Sequence, residues 1–533
     1  MDELKPVHQS NGFFKGTLIL TAAAIIIKIL SATYRVPFQN IVGDVGFYIY
    51  QQIYPFYGIA LVLATSGFPV VISKLYAEQA SEKGRKPAQN LFVISAIVIS
   101  SIGFMGFSFL YWGADWFAIR MDDPELAGPL RVVSFIFLLL PVISLLRGYF
   151  QGEENMVPTA ISQVSEQFIR VAIILFTAIL FTKQGYSLYE VGGGAFFGSI
   201  AGGLAAVIIL LVFLYKEKKS RPYIACGSLR MKGSWQVVKS LLIHSFAICV
   251  SSLLLIFIQL ADSLNLYSLL VSSGFGELES KQMKGVYDRG QPLIQLGLVA
   301  ATSMALSLVP LITKEKMKKD EASLYGMINL VLRMGLVIGV AATAGLWSII
   351  EPTNIMLFEN AKGSEVLAIL SFLILFGSLI ITVTAILQGL GYILYPAFII
   401  LIGCIMKYIL NIIYVPKGDI AGAAIASCIA LCIILILLLA KLKIHVKAPL
   451  VKKRFVFLIV LAAGCMVLSL SIYLQLTNGL YSNGDIRLVA SFQALSGAAI
   501  GAVVYLYIVL KGKVFTEKEL LMLPFGSKLT KLL

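Results

Sequence analysis

Charge is scarce in this sequence. Only 13% of its 533 residues are Asp, Glu, Lys or Arg, about half of the roughly 25% that a water-soluble surface carries, and the shortage argues against a string of soluble domains. Histidine is scarcer still, with three residues. The six cysteines, Cys226, Cys249, Cys404, Cys428, Cys432 and Cys465, include no CxxC pair. Cys428 and Cys432 share a helix face without a His or Asp cluster beside them, so they read as small packing residues, and neither a disulfide framework nor a metal centre is expected. P-loop, nucleophile-elbow and HExxH patterns are missing. The apolar runs also lack the clustered aspartates that a metal-dependent phosphotransferase needs. An enzyme is therefore not expected, nor is a cofactor.

Long apolar runs are what the chain has instead. Hydrophobic residues make up 58% of it, with mean hydropathy +0.88, and a bilayer crossing takes roughly 20 of them in succession. Spans are expected near 14–34, 47–72, 90–111, 130–150, 160–182, 190–215, 237–261, 289–312, 323–350, 365–388, 396–415, 420–440, 455–476 and 487–510. The fold class is all-α, a polytopic membrane protein of about fourteen transmembrane helices. The first run is long for the core of a signal peptide and carries Lys28, so it reads as a retained helix.

Basic residues outnumber acidic ones, 43 to 28. With fourteen spans and the N-terminus inside, Lys74/Lys83/Arg85/Lys86, Lys216 to Lys232, Lys314 to Lys319, Lys441 to Arg454 and the basic C-terminal tail all fall on the cytoplasmic side. Asp115, Asp122, Asp123, Glu125, Glu351 and Glu359 fall outside. That asymmetry places both termini in the cytoplasm. The short basic segments suit anionic membrane lipids, and without aromatic interleaving they do not suggest nucleic acid.

The chain also repeats. Gln151-Gly152 followed by Pro158 matches Gln388-Gly389 followed by Pro396, and the segment around Pro69 (Gly67 to Lys74) matches that around Pro310 (Leu308 to Lys314). The offsets agree within four residues (388 − 151 = 237; 310 − 69 = 241). Such a repeat covers six spans and keeps one orientation, which gives two six-helix lobes in a parallel pseudo-two-fold arrangement plus two extra helices. The expected divisions are 1–215 for the N-terminal lobe, 216–236 for a cytoplasmic basic linker, 237–440 for the C-terminal lobe, 441–510 for spans 13 and 14, and 511–533 for an amphipathic basic tail. The tail opens on a capping-box pattern, Thr516 with Glu519.

Charged side chains within spans are costly and tend to face a cavity or a partner. Lys28 and Lys407 each lie well inside their expected spans, too deep to reach water easily. Glu166 and Arg170 are spaced i,i+4, so they share a face and either neutralise each other or serve a substrate. Arg35, Arg147, Arg289 and Arg333 lie near enough to a boundary to snorkel. Asp262 closes the seventh expected span and is the acid nominated to bind a coupling cation. His244 reads as a hydrogen-bonded packing residue. Embedded cations outnumber embedded acids, and guanidinium forks suit phosphate or pyrophosphate.

Several stretches carry a family likeness. Phe14-Lys15-Gly16-Thr17-Leu18-Ile19-Leu20, Gly43-Asp44-Val45-Gly46-Phe47-Tyr48, Gly67 to Lys74, and Arg289-Gly290-Gln291-Pro292-Leu293 resemble the stage V sporulation protein B-type polysaccharide exporters. These belong to the multidrug/oligosaccharidyl-lipid/polysaccharide exporter superfamily, which includes the lipid II flippase. The resemblance implies two lobes around a cavity that opens alternately to each side of the bacterial cytoplasmic membrane, and a lipid-linked oligosaccharide or lipid II-like substrate. Asp288-Arg289 resembles the flippase pair that opens the eighth span, which implies a cavity-lining role for Arg289. Lys28 falls where those flippases carry an arginine, whereas Tyr34 and Val62 stand in place of their other cations. The substrate-binding set expected is Lys28, Arg35, Glu166, Arg170, Arg289 and Lys407, with a groove for the lipid tail on spans 13 and 14. The alternatives are a multidrug/cation antiporter of the same superfamily, which would favour embedded acids, and a membrane-embedded glycolipid transferase, which would need a catalytic cluster in a large outer loop.

Overall fold

The computed structural model describes residues 8–83, 85–220, 234–318, 320–446, 452–482, 485–515 and 519. Most of the expected basic linker 216–236 and amphipathic tail 511–533 lie outside the described residues. Among those described, the secondary structure is helical throughout, with no strand. Hydrocarbon offers backbone groups no partner, so a spanning chain without a barrel must satisfy them inside helices.

Two compact units emerge, Met1–Gly285 with Ile393–Tyr408 and Val286–Tyr392 with Ile409–Leu533. The first contains α1 (His8–Thr33), α2 (Arg35–Val62), α3 (Phe68–Lys83), α4 (Arg85–Arg120), α5 (Ala127–Ser134), α6 (Ile136–Gly152), α7 (Met156–Lys183), α8 (Leu188–Ser220), α9 (Ser234–Ser252) and α10 (Leu254–Ser272). α11 (Glu277–Asp288) follows, and the second unit continues with α12 (Gly290–Gly297), α13 (Val299–Met317), α14 (Glu321–Ser348), α15 (Ile350–Phe358) and α16 (Ser364–Gly389). The chain then runs through α17 (Leu394–His445), α18 (Lys453–Thr477) and α19 (Ile486–Lys511).

Among the described residues, eleven helical segments are long and apolar enough to cross a bilayer, against the fourteen spans expected. Two of them, Ala22–Gln79 and Leu394–His445, run to 58 and 52 residues, where roughly 20 suffice for one crossing. The second is interrupted at Gly418 and Asp419, whose backbone leaves the helical region, at the turn placed between the expected spans 396–415 and 420–440. The chain is a multi-pass membrane protein.

One boundary moved far enough to matter. The expected seventh span ended at residue 261 with Asp262 at its close, but the helix breaks at Leu253 and α10 continues to Ser272. Asp262 therefore sits mid-helix and buried. Gln259, Asp262, Ser263 and Asn265 lower the hydropathy of this stretch, yet all four face inward, so the apolar signal stops where the helix does not.

The repeat shows as packing within each unit. Gly148 on α6 lies against Ile72 of α3, and Gly389 on α16 lies against Ile312 of α13. These equivalent contacts are separated by the same offset (389 − 148 = 241; 312 − 72 = 240). A Cβ at either glycine would come within 2.8 Å of its isoleucine, and small residues at such crossings let helices approach closely. Gly148→Val and Gly389→Val should each lower stability by about 1–3 kcal/mol through overpacking. Gly128→Ala, where a Cβ meets nothing within 4 Å, should leave the melting temperature of the detergent-solubilised protein unchanged. Wild-type melting in both valine variants would contradict the packing account.

The core of the first unit is rich in aromatics, including Tyr34, Phe38, Tyr48, Tyr50, Tyr54, Tyr57 and Phe196. In the second unit α14, α18 and α19 enclose Ile459, Met466, Leu470 and Tyr505. Arg333 of α14 does not snorkel. It donates to the Val514 carbonyl at 3.1 Å, pairs with Glu519 and stands over the rings of Phe455 and Phe515, so Val514, Phe515 and Glu519 lie against this helix.

Candidate functional site

The site is built on α7, whose charged face is fixed by the glycines of α8. A Cβ at Gly202 would lie 2.6 Å from the Glu166 carbonyl, and one at Gly198 would lie 3.1 Å from that of Arg170. Bare backbone at these two points lets α8 press directly on α7.

Sharing a face does not make Glu166 and Arg170 partners. Glu166 Oε2 accepts from Arg147 Nη2 of α6 at 2.7 Å, and Arg147 Nε donates to Ser162 Oγ at 3.2 Å. Arg147 is fully buried, so it reaches a carboxylate and not a membrane boundary. The opposing helix supplies the closer cation, which leaves Arg170 to extend elsewhere.

Arg170 extends into phenols. Its Nη2 donates to the Tyr34 hydroxyl at 2.7 Å and to that of Tyr50 at 3.3 Å, and its Nη1 donates to the Tyr57 hydroxyl at 3.0 Å and to Gln167 Oε1 at 3.1 Å. The guanidinium carbon stands 4.4 Å from the centroid of the Tyr57 ring, and Tyr34 and Tyr50 join hydroxyl to hydroxyl at 2.6 Å. Arg35, the first residue of α2, lies 4.3 Å over the Tyr54 ring. None of its three guanidinium nitrogens makes a hydrogen bond of ordinary length and angle. Arg35 and Arg170 are both 0% exposed, and among the described residues no carboxylate lies within ion-pair distance of either.

The buried carboxylates of the first unit are committed to other cations. Lys407 Nζ meets Asp262 Oδ1 at 2.9 Å, joining the candidate coupling acid to a residue expected to bind substrate. Asp123 accepts from the hydroxyls of Tyr48 and Tyr189 and lies 3.5 Å from Lys281. Lys28 is partly buried on α1 with no ion pair among the described residues. Arg289 belongs to the second unit, where it is buried, donates to Asn360 Oδ1 at 2.8 Å and stands over Phe358. His244 Nδ1 lies 2.9 Å from the Ser240 carbonyl one turn earlier.

Of the expected set, then, the structure gathers Arg35 and Arg170 around shared tyrosines and joins Lys407 to Asp262. It turns Glu166 to Arg147 and leaves Lys28 apart. Sequence reasoning missed the tyrosines. Their signal was present, because Tyr50, Tyr54 and Tyr57 follow i, i+4, i+7 spacing and so line one helix face.

Residues 13–316 match the family described as polysaccharide biosynthesis protein. The chain is 44% identical over 519 residues to an uncharacterized membrane protein, YabM, of Bacillus subtilis (strain 168), covering 97% of this chain and 96% of that one. It is 25% identical over 517 residues to the lipid II flippase MurJ of the same organism, covering 93% and 95%. A solved structure of the lipid II flippase MurJ in an inward closed conformation superposes with a TM-score of 0.66 at 16% identity, over 93% of this chain and 99% of that one, a likeness of fold. With more than half its length matched by the family and a close relative matched end to end, this chain belongs to the polysaccharide biosynthesis protein family.

Proposed function

We propose that this protein is an alternating-access flippase or exporter that carries an anionic lipid-linked saccharide, a peptidoglycan or polysaccharide precursor, across the bacterial cytoplasmic membrane with both termini inside. The observation that carries this reading is the charge balance buried in the first unit. Asp123, Glu166 and Asp262 each have a basic partner, while among the described residues no carboxylate lies within ion-pair distance of Arg35 or Arg170. A buried charge without a counter-charge is expensive, and an anionic headgroup supplies what the fold withholds. An organic cation would need the reverse, a carboxylate left uncommitted. The kinship with a protein named a lipid II flippase supports the same substrate class.

Lys28, Arg35, Arg170, Arg289 and Lys407 are the side chains proposed to meet the substrate's phosphates, with Glu166 tuning the field through Arg147. Asp262 is the proposed coupling acid, and a coupling cation there competes with the Lys407 ammonium. Binding tests the reading. Purified full-length protein, analysed by native mass spectrometry, should retain a polyprenyl-pyrophosphate-linked sugar and release an uncharged polyprenol. Retention of organic cations with no retention of the pyrophosphate lipid would contradict it.

A further inference from the structure

Asp262 and Lys407 meet within the first unit, and their pairing bears on what drives transport. Asp262 lies midway along α10 and Lys407 in the opening part of α17, with Nζ 2.9 Å from Oδ1. Neither side chain reaches solvent: Lys407 is 0% exposed and Asp262 1%.

Two side chain-to-backbone bonds flank the pair. Cys404 Sγ of α17 donates to the Phe257 carbonyl of α10 at 3.3 Å, and Asn265 Nδ2 of α10 donates to the Tyr408 carbonyl of α17 at 2.9 Å. One bond precedes the ion pair and the other follows it along both helices, so the spacing of α10 and this part of α17 is held on either side. The surroundings add no charge of their own. Gln259, Ser263 and Asn265, buried on α10, are neutral. From α2 the contact is an amide, Gln52 Nε2 on the Ser263 carbonyl at 3.2 Å, and from α17 the thiol of Cys404 lies in the field of Asp262. The cation brought to this acid is supplied by the chain itself.

An external ion bound at Asp262 would face two obstacles. It would shed its water to enter a position that solvent does not reach, which is unfavourable for any bare charge. It would also separate Lys407 from the carboxylate and leave a buried ammonium behind. Breaking a buried pair in that way weakens the competitor by roughly a hundredfold or more. The tethered ammonium meets neither obstacle.

We propose that Lys407 is the resident cation of the Asp262 position, so that transport by this protein uses no metal cation there. The proposal rests on the reading of the protein as a carrier of an anionic lipid-linked saccharide, and it refines the role given to Asp262 within that reading. The acid is the partner of an internal lysine and not a port for an external ion. What exchanges at this point is the anion on the ammonium, either the Asp262 carboxylate or a phosphate of the substrate.

The test compares salts and then replaces the amine. Wild-type protein in sealed proteoliposomes should move a radiolabelled polyprenyl-pyrophosphate-linked sugar at one rate in sodium, potassium and choline chloride of equal ionic strength. Lys407→Ala strands the carboxylate and removes a propylammonium group, so transport should fall by roughly tenfold or more. Propylammonium in the buffer should restore part of that loss, whereas propanol, which has the same shape without the charge, should restore none. In detergent, propylammonium should raise the melting temperature of Lys407→Ala and leave that of the wild type unchanged. The double variant Asp262→Asn/Lys407→Ala has no carboxylate to hold the guest and should lose the amine effect in both readings. If Lys407→Ala does not accumulate, the salt comparison in wild type and Asp262→Asn carries the test. Wild-type transport that requires sodium or potassium, with the requirement lost in Asp262→Asn, would overturn the proposal. So would melting and transport of Lys407→Ala that the amine does not change. A wild-type protein that moves no lipid-linked sugar in any salt, while the amine still raises the melting temperature of Lys407→Ala alone, would overturn the transport reading and leave the resident cation standing.

Discussion

Arg147→Ala, with Glu166 left in place, should cost about 3–5 kcal/mol of stability, because it strands a buried carboxylate whose partner stood 2.7 Å away. Glu166→Ala should cost a comparable amount by stranding the guanidinium. The double variant Arg147→Met/Glu166→Leu should recover most of the loss, since replacing both members of a buried pair with apolar residues of similar volume is often neutral. Exchanging the charges between positions 147 and 166 should also retain much of the stability, whereas exchanging 166 with 170 should not. Thermal melting of the detergent-solubilised protein, with membrane abundance as a second reading, measures all of these. A Glu166→Ala variant that melts with the wild type would show that the pair does not hold α6 to α7.

The helical, membrane-spanning fold was legible because the bilayer imposes a coarse rule, in which long apolar runs become helices. Most expected spans correspond to observed helices within a few residues, as at Glu321–Ser348 and Ser364–Gly389. The rule failed where polar residues are buried inside protein. Asp262 and its neighbours ended the apolar window at residue 261, although α10 runs on to Ser272. The repeat was visible from Gly and Pro placement because close helix crossings require small residues at fixed points, and Gly148 and Gly389 occupy two of them.

The candidate site was legible in its residues and not in its pairings. Embedded charge marked Arg35, Glu166, Arg170, Asp262 and Lys407, all of which are buried. Helical spacing alone joined Glu166 to Arg170, because one-dimensional periodicity describes a single helix and carries no information about a cation arriving from α6. The Asp262–Lys407 contact crosses 145 positions of sequence (407 − 262 = 145), and no local pattern announces it. Tyrosines passed unnoticed for a different reason. In a membrane chain they read as apolar surface or interfacial anchors, so their role as hydrogen-bond acceptors for a buried cation shows only once the cation is placed.

Lys28→Glu should abolish transport while leaving the fold intact. Lys28 is partly buried and makes no ion pair among the described residues, so reversing its charge strands no partner, unlike changes at Arg147 or Lys407. If Lys28 meets an anionic headgroup, reversal both removes an attraction and adds a repulsion. Like-charge juxtaposition costs several kcal/mol, so transport should fall by roughly a hundredfold or more. Lys28→Gln should fall less, and Lys28→Arg should be tolerated best because it keeps the charge and adds a fork. All three should accumulate in membranes at wild-type levels.

The measurement that tests the central claim most directly is transbilayer movement of a radiolabelled lipid-linked saccharide in sealed proteoliposomes, followed by the fraction accessible to an impermeant enzyme at the outer leaflet. Wild-type protein should move the label, Lys28→Glu should not, and neither should accelerate movement of a lipophilic organic cation. Equal movement of the saccharide by wild type and Lys28→Glu, or movement of the cation alone, would contradict the account of this protein as a carrier of an anionic lipid-linked saccharide.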